Sequence, residues 1–190
     1  RYTYLSYVGL FYILGCGYNH LKESKSRFVN IANAVIGVFM LFYFIQTYNR
    51  CAVWKNSDTL WTDVITKHPY SSLPFKSRGI YLASKQTIDV DKKQIVPEYE
   101  RALADLNSAI NLKPNDPEAL SYRANIYALK NQLDSSFKDY SNALLIDSNR
   151  VSVYLNRGVT YSTIGKFKEA VNDFNQVLKR EPNNKAAKRY

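Results

Sequence analysis

Hydrophobic and polar positions follow two different regimes along the chain, and the change falls near residue 50. Residues 2–19 and 28–49 hold no charged side chain, whereas after Tyr70 Lys, Asp and Glu recur every few positions. The first uncharged run reads YTYLSYVGLFYILGCGYN. As a helix rising about 1.5 Å per residue it reaches about 27 Å, enough to cross a thin hydrocarbon core. The second run, FVNIANAVIGVFMLFYFIQTYN, carries between Ala34 and Ile45 no polar group except the Tyr43 hydroxyl. A helix on the surface of a soluble bundle shows a polar stripe at helical spacing, and this one has none. Phe42, Tyr43, Phe44, Tyr48 and Trp54 crowd its far end, as rings anchored at a headgroup layer do. The pattern predicts two transmembrane helices, about 2–19 and 28–49. A cleaved secretory leader fits poorly, because no basic start or small-residue cleavage site is present and a second span follows at once.

The connecting loop, residues 20–27, holds Lys22, Lys25 and Arg27. The positive-inside rule places it in the cytoplasm, so residues from 51 onward fall on the non-cytoplasmic side, periplasm-like or lumenal. Arg50 and Lys55 reduce the contrast. Cys16 and Cys51 then sit at opposite ends of the spans, too far apart for a disulfide. His20 and His68 fall on opposite faces, so no metal site is predicted, and no cofactor motif is found.

After Tyr70 the chain repeats with a period of 34. Arg123, Tyr127, Asp139 and Leu144 recur as Arg157, Tyr161, Asp173 and Leu178. An earlier unit aligns once an insertion of 11 residues within 85–97 is allowed. Small residues recur at the eighth place (Gly79, Ala124, Gly158) and at the twentieth (Ala102, Ser136, Ala170). Leu106, Tyr140 and Phe174 occupy the twenty-fourth, and Pro114 and Pro182 close their units. This pattern resembles tetratricopeptide repeats, each a helix–turn–helix unit, at about 72–116, 117–150 and 151–184. The predicted fold class is all-α: two transmembrane helices followed by a tetratricopeptide-repeat α-solenoid, with Asn184–Tyr190 as the start of a capping helix, a further repeat or a frayed solvated tail.

Within each unit an Arg precedes an Asp at fixed spacing: Arg78 and Asp105, Arg123 and Asp139, Arg157 and Asp173. Each Arg is predicted to cross from the first helix of its unit to the Asp of the second. The first helices make the concave face on which such repeats usually bind peptides. That face draws on Lys76, Ile80, Ala83, Tyr122, Asn125, Leu129, Leu155, Asn156, Val159 and Ser162. A basic clamp for a terminal carboxylate needs Lys and Asn at set places in successive units. Lys76, Asn125 and Asn156 are scattered members of that pattern, and Ile80 stands at one of its Asn places. Peptide capture and plain structural stacking both remain open here.

Between the two regimes, residues 51–71 form a connecting segment. Ser57 or Asp58 can cap a helix ending near Lys67. Trp61 and Pro69 lie 45 residues before Leu106 and Pro114, so this helix behaves as the second half of a repeat and is expected to hold the stack close to the bilayer.

The order of features resembles the transmembrane and tetratricopeptide-repeat-containing O-mannosyltransferases and their bacterial relatives, multi-span glycosyltransferases. Arg1, Tyr2, Tyr4, Leu5 and Gly9 match their arginine-tyrosine-leucine-proline-glycine motif, with Ser6 in place of the proline. Arg50, Trp54, Leu60, Trp61 and Pro69, leading into repeats, match as well. The resemblance implies transfer of a sugar from a polyprenyl-phosphate carrier on the non-cytoplasmic side. It places the catalytic acids upstream of Arg1, so no catalytic residue is nominated, and Asp58 and Asp63 read as helix-start and solvent-facing residues. Arg1, with Tyr4 beside it, is the candidate for holding a carrier phosphate. The alternative is a non-catalytic, membrane-anchored scaffold that binds protein through its repeats.

Composition refines this picture. The 190 residues include 26 Lys+Arg against 16 Asp+Glu, a net charge of +10. Charge alone suits anionic lipid as well as nucleic acid, and the repeat aromatics have packing roles, so nucleic-acid binding is set aside. A charged share of 22% excludes a disordered tail protein. The chain begins with Arg, which reads as a piece of a longer protein.

Overall fold

The structure, a computed structural model, describes residues 3–23, 28–89 and 94–189. It divides into two compact units, residues 1–54 and 55–190.

The first unit holds helices α1 (Thr3–Glu23) and α2 (Phe28–Val53). Tyr18 on α1 donates its hydroxyl proton to Asn33 Oδ1 on α2 at 2.7 Å. Among the described residues one helix, α2, has the length and composition to cross a membrane, and none of its residues is buried. This corrects the expectation of two spans. Tyrosines, glycines, Ser6, Asn19 and His20 interrupt α1 and dilute its apolar density, whereas α2 runs from Ala34 to Ile45 with one hydroxyl. Both helices also continue past the predicted limits, α2 through Arg50 to Val53. Cys16 and Cys51 are free thiols. The loop cations Lys25 and Arg27 lie outside the described residues.

The second unit is a stack of helices: α3 (Ser57–Lys67), α4 (Ser72–Ser84), α5 (Tyr99–Leu112), α6 (Pro117–Leu129), α7 (Leu133–Ile146), α8 (Val151–Thr163), α9 (Phe167–Arg180) and α10 (Lys185–Arg189). Asn56 caps α3 in a reciprocal capping box with Thr59, one residue before the expected cap, because its Oδ1 reaches the Thr59 N–H at 2.9 Å. Asp116 caps α6, accepting from the Glu118 and Ala119 N–H groups, and Pro117 supplies the pre-set φ of a first helical residue.

Helices pair as α4 with α5, α6 with α7 and α8 with α9, and each core cluster crosses into the next pair. Leu82, Ala102, Leu103 and Leu106 of the first pair bury with Ala119 and Ile126 of α6. Leu120, Ala124, Tyr140 and Ala143 of the second bury with Val153 of α8. No pair buries its apolar face alone, so stability comes from stacking of neighbours. Gly79 and Gly158 mark the tightest approaches: a Cβ at Gly158 would lie 2.9 Å from the Phe174 ring.

The turns differ between pairs. Asn131 and Gly165, one period apart, take positive φ of 58° and 79° and reverse the chain from α6 to α7 and from α8 to α9. At the equivalent place in the first pair stands the insertion, where strands β1 (Gln86–Asp89) and β2 (Gln94–Pro97) pair antiparallel, Gln86 opposite Pro97. The solenoid is therefore not purely helical. Lys85 and Glu98 close the neck of this hairpin with a 2.9 Å ion pair. Past α9, α10 begins one period after α8, and its Ala187 buries against α9.

Candidate peptide-binding groove

Each repeat Arg ties the two helices of its pair, and two of the three also reach the preceding helix. Arg78 grips both carboxylate oxygens of Asp105 at 2.7 Å, and its third arm reaches Thr62 of α3 at 2.8 Å. Arg123 grips Asp139 at 2.6 and 2.8 Å and reaches Asn107 of α5 at 2.7 Å. Arg157 grips Asp173 at 2.8 Å through two arms and lies between the Tyr154 and Tyr161 rings. Thr62 and Asn107 both lie 16 residues before their Arg, so α3 offers the stack the same contact as a full second helix. These arginines are engaged in packing and leave the inner face to neutral side chains.

On that face a groove of about 270 Å³ opens between α6 and α8. It is lined by Asn125, Ala128 and Leu129 of α6, by Tyr140 of α7, and by Asn156, Val159, Thr160 and Thr163 of α8. Leu129 is well exposed. The Tyr140 hydroxyl, fully buried, donates to Asn125 Oδ1 at 2.5 Å and lies 3.4 Å from Thr160 Oγ1. Thr160 Oγ1 in turn donates to the Asn156 carbonyl at 2.9 Å. Burial pushes the Tyr140 phenol above its ordinary pKa, so it stays a neutral donor.

Of the residues expected on the concave face, Asn125, Leu129, Asn156 and Val159 come together here. Tyr122 and Leu155 pack instead against core clusters, and Ile80, Ala83 and Ser162 are half-buried away from the groove. Thr160 and Thr163 were missed by the sequence reading, although their spacing of four and seven from Asn156 puts them on one helix face. Lys76 is occupied: its ammonium pairs with Asp116 at 3.0 Å and Glu118 at 2.8 Å. Burial lowers the Lys76 pKa, but the two carboxylates outweigh it and hold the group above its ordinary value. Burial likewise opposes Asp116, yet the Lys76 ammonium and the Ala119 N–H keep it below the usual carboxylate range. Arg1 lies outside the described residues, and so does the Tyr4 side chain. Among the described residues no three His, Cys, Asp or Glu groups converge on a metal position.

A stack of helix pairs with small residues at the crossing points and an amide-lined inner groove is a tetratricopeptide-repeat solenoid. The tetratricopeptide repeat family matches residues 151–184. Sperm-associated antigen 1 of Mus musculus is 33% identical over 141 residues, 74% of this chain. The chain spans 14% of that relative's length. The tetratricopeptide domain of Arabidopsis OM64 superposes with a TM-score of 0.52 at 27% identity, covering 62% of this chain and 88% of that domain. The second such domain of human RPAP3, solved in complex with the HSP70 peptide SGPTIEEVD, superposes with a TM-score of 0.50 at 28% identity, over 64% and 92%. These matches are to tetratricopeptide-repeat proteins and lend nothing to a lipid-phosphate-sugar transferase.

Proposed function

We propose that the repeat half captures an extended, uncharged peptide segment of a partner protein in the α6–α8 groove, and that α2 anchors it to a membrane. The observation that carries the reading is the pair of carboxamides, Asn125 and Asn156, on consecutive first helices facing one groove, with Leu129 and Val159 as apolar floor and wall. Amides serve peptide backbone, which offers both a donor and an acceptor at every residue. The RPAP3 peptide supports a peptide ligand, but its acidic end has little counterpart here: the groove lining holds no charge, and Lys76 is already paired. Support for the anchor is the length and composition of α2 and the absence of burial along it.

The test uses the full chain in detergent micelles and two peptides, titrated by fluorescence anisotropy. One is SGPTIEEVD with its free C-terminus. The other has its acids replaced by their amides and its C-terminus amidated. The uncharged peptide is expected to bind at least as tightly. Binding of the acidic peptide alone, or of neither, refutes the reading.

A further inference from the structure

We propose that Tyr140 is a positioning residue that fixes the Asn125 carboxamide as a donor, so that the groove selects a peptide carbonyl at this point. The inference rests on the peptide-capture reading and sharpens it. At 2.5 Å the Tyr140–Asn125 contact has the length of an O–H···O bond and is too short for N–H···O. The phenolic proton therefore sits on this contact and the amide oxygen receives it. Thr160 spends its own proton on the Asn156 carbonyl, so it does not compete as donor. With Oδ1 held, Nδ2 is the end of the Asn125 amide left for the groove, and it has no partner among the described residues. Asn156 is different: its carboxamide makes no hydrogen bond among the described residues and can turn to present either end.

The two amides thus have separate roles. Asn125 demands an acceptor, and Asn156 adapts to whatever the next peptide unit offers. An extended strand turns alternate carbonyls and N–H groups to each side. One locked donor is enough to set its register, in a groove whose apolar lining includes Leu129 and Val159. The device is built into the base of the groove, on the second helix, and acts on the peptide through Asn125.

The test is a cycle of three variants of the full chain in micelles: Tyr140→Phe, Asn125→Ala and the double variant, titrated with the uncharged form of SGPTIEEVD. Tyr140→Phe is expected to weaken binding about fivefold, and to add less than about twofold when Asn125 is already Ala. A loss of equal size in both backgrounds marks a merely structural role and overturns the proposal, as does unchanged binding by Tyr140→Phe. Side-chain amide NMR of the ligand-free chain gives a readout independent of peptide. The Asn125 amide protons are expected to stay sharp and well separated in the wild type and to broaden in Tyr140→Phe. If the wild type fails to bind peptide, capture itself is wrong. The NMR comparison then still decides whether Tyr140 orients Asn125, and unchanged Asn125 signals refute that.

Discussion

Arg123 holds Asp139 in a two-pronged grip, Nε at 2.6 Å and Nη2 at 2.8 Å, and spends its remaining arm on Asn107 of the preceding pair. One guanidinium thereby ties α6 to its partner α7 and to α5 before it. The planar fork of Arg suits this, and Lys cannot replace it.

Asp139 is buried, so its removal leaves Arg123 without its counter-charge in a largely dry site. Asp139→Ala should cost about 3 kcal/mol. Replacing both partners, Arg123→Met with Asp139→Leu, should cost clearly less than the sum of the two single changes. Urea unfolding followed by circular dichroism checks both. Strict additivity would mean that the pair does not act as a unit.

Gly158 packs so closely on Phe174 that a branched side chain must displace the ring or separate α8 from α9. Gly158→Val is expected to destabilise the stack by about 2 kcal/mol or more. Ala124 at the equivalent place is buried in one cluster with Tyr140 and already carries a Cβ there, so Ala124→Gly should cost only about 1 kcal/mol. Melting temperatures of the two variants give the comparison.

The Lys76–Asp116 contact sets a pH window. Asp116 is held low in the folded chain, so its stabilisation is complete above about pH 4 and fades as the pH falls through the folded value. Lys76 is held high, so its share is complete below about pH 10 and fades as the pH rises through its own folded value. Asp116→Asn keeps a capping oxygen but removes the charge. Its deficit relative to wild type is expected at neutral pH and should shrink below pH about 4. A deficit that is constant with pH would show that the cap alone matters.

With α2 as anchor, Lys22, Lys25 and Arg27 precede it in the sequence, and by the positive-inside rule we propose that the repeats lie on the non-cytoplasmic side. We expect alkaline carbonate to leave the chain in the membrane pellet. A membrane-impermeant maleimide added to intact cells should label Cys51, just inside the far end of α2, and spare Cys16. Labelling of Cys16 alone would reverse the orientation, and release by carbonate would remove the anchor.

The period of 34, the small positions and the Arg–Asp spacing are legible in the residues, because a stack repeats its contacts at fixed intervals and each interval leaves a mark in one dimension. That α3 serves as a second half-helix is legible too, through Trp61 and Pro69. The groove is only half legible. Asn125 and Asn156 can be nominated as inner-face residues, since both lie on first helices. Their meeting depends on how α6 and α8 close over Tyr140, and so does the hydroxyl that turns one of them. Lys76 shows the limit most plainly. By position it is a free cation on a binding face, yet folding brings Asp116 and Glu118, some forty residues on, to within 3.0 Å and neutralises it. Sequence alone determined the helices of the three repeats and the order in which they stack, because hydropathy and spacing are local, while it left α10 open. Only the tertiary structure decided which polar groups remain available, because a hydrogen bond or ion pair between distant residues is formed by the packing.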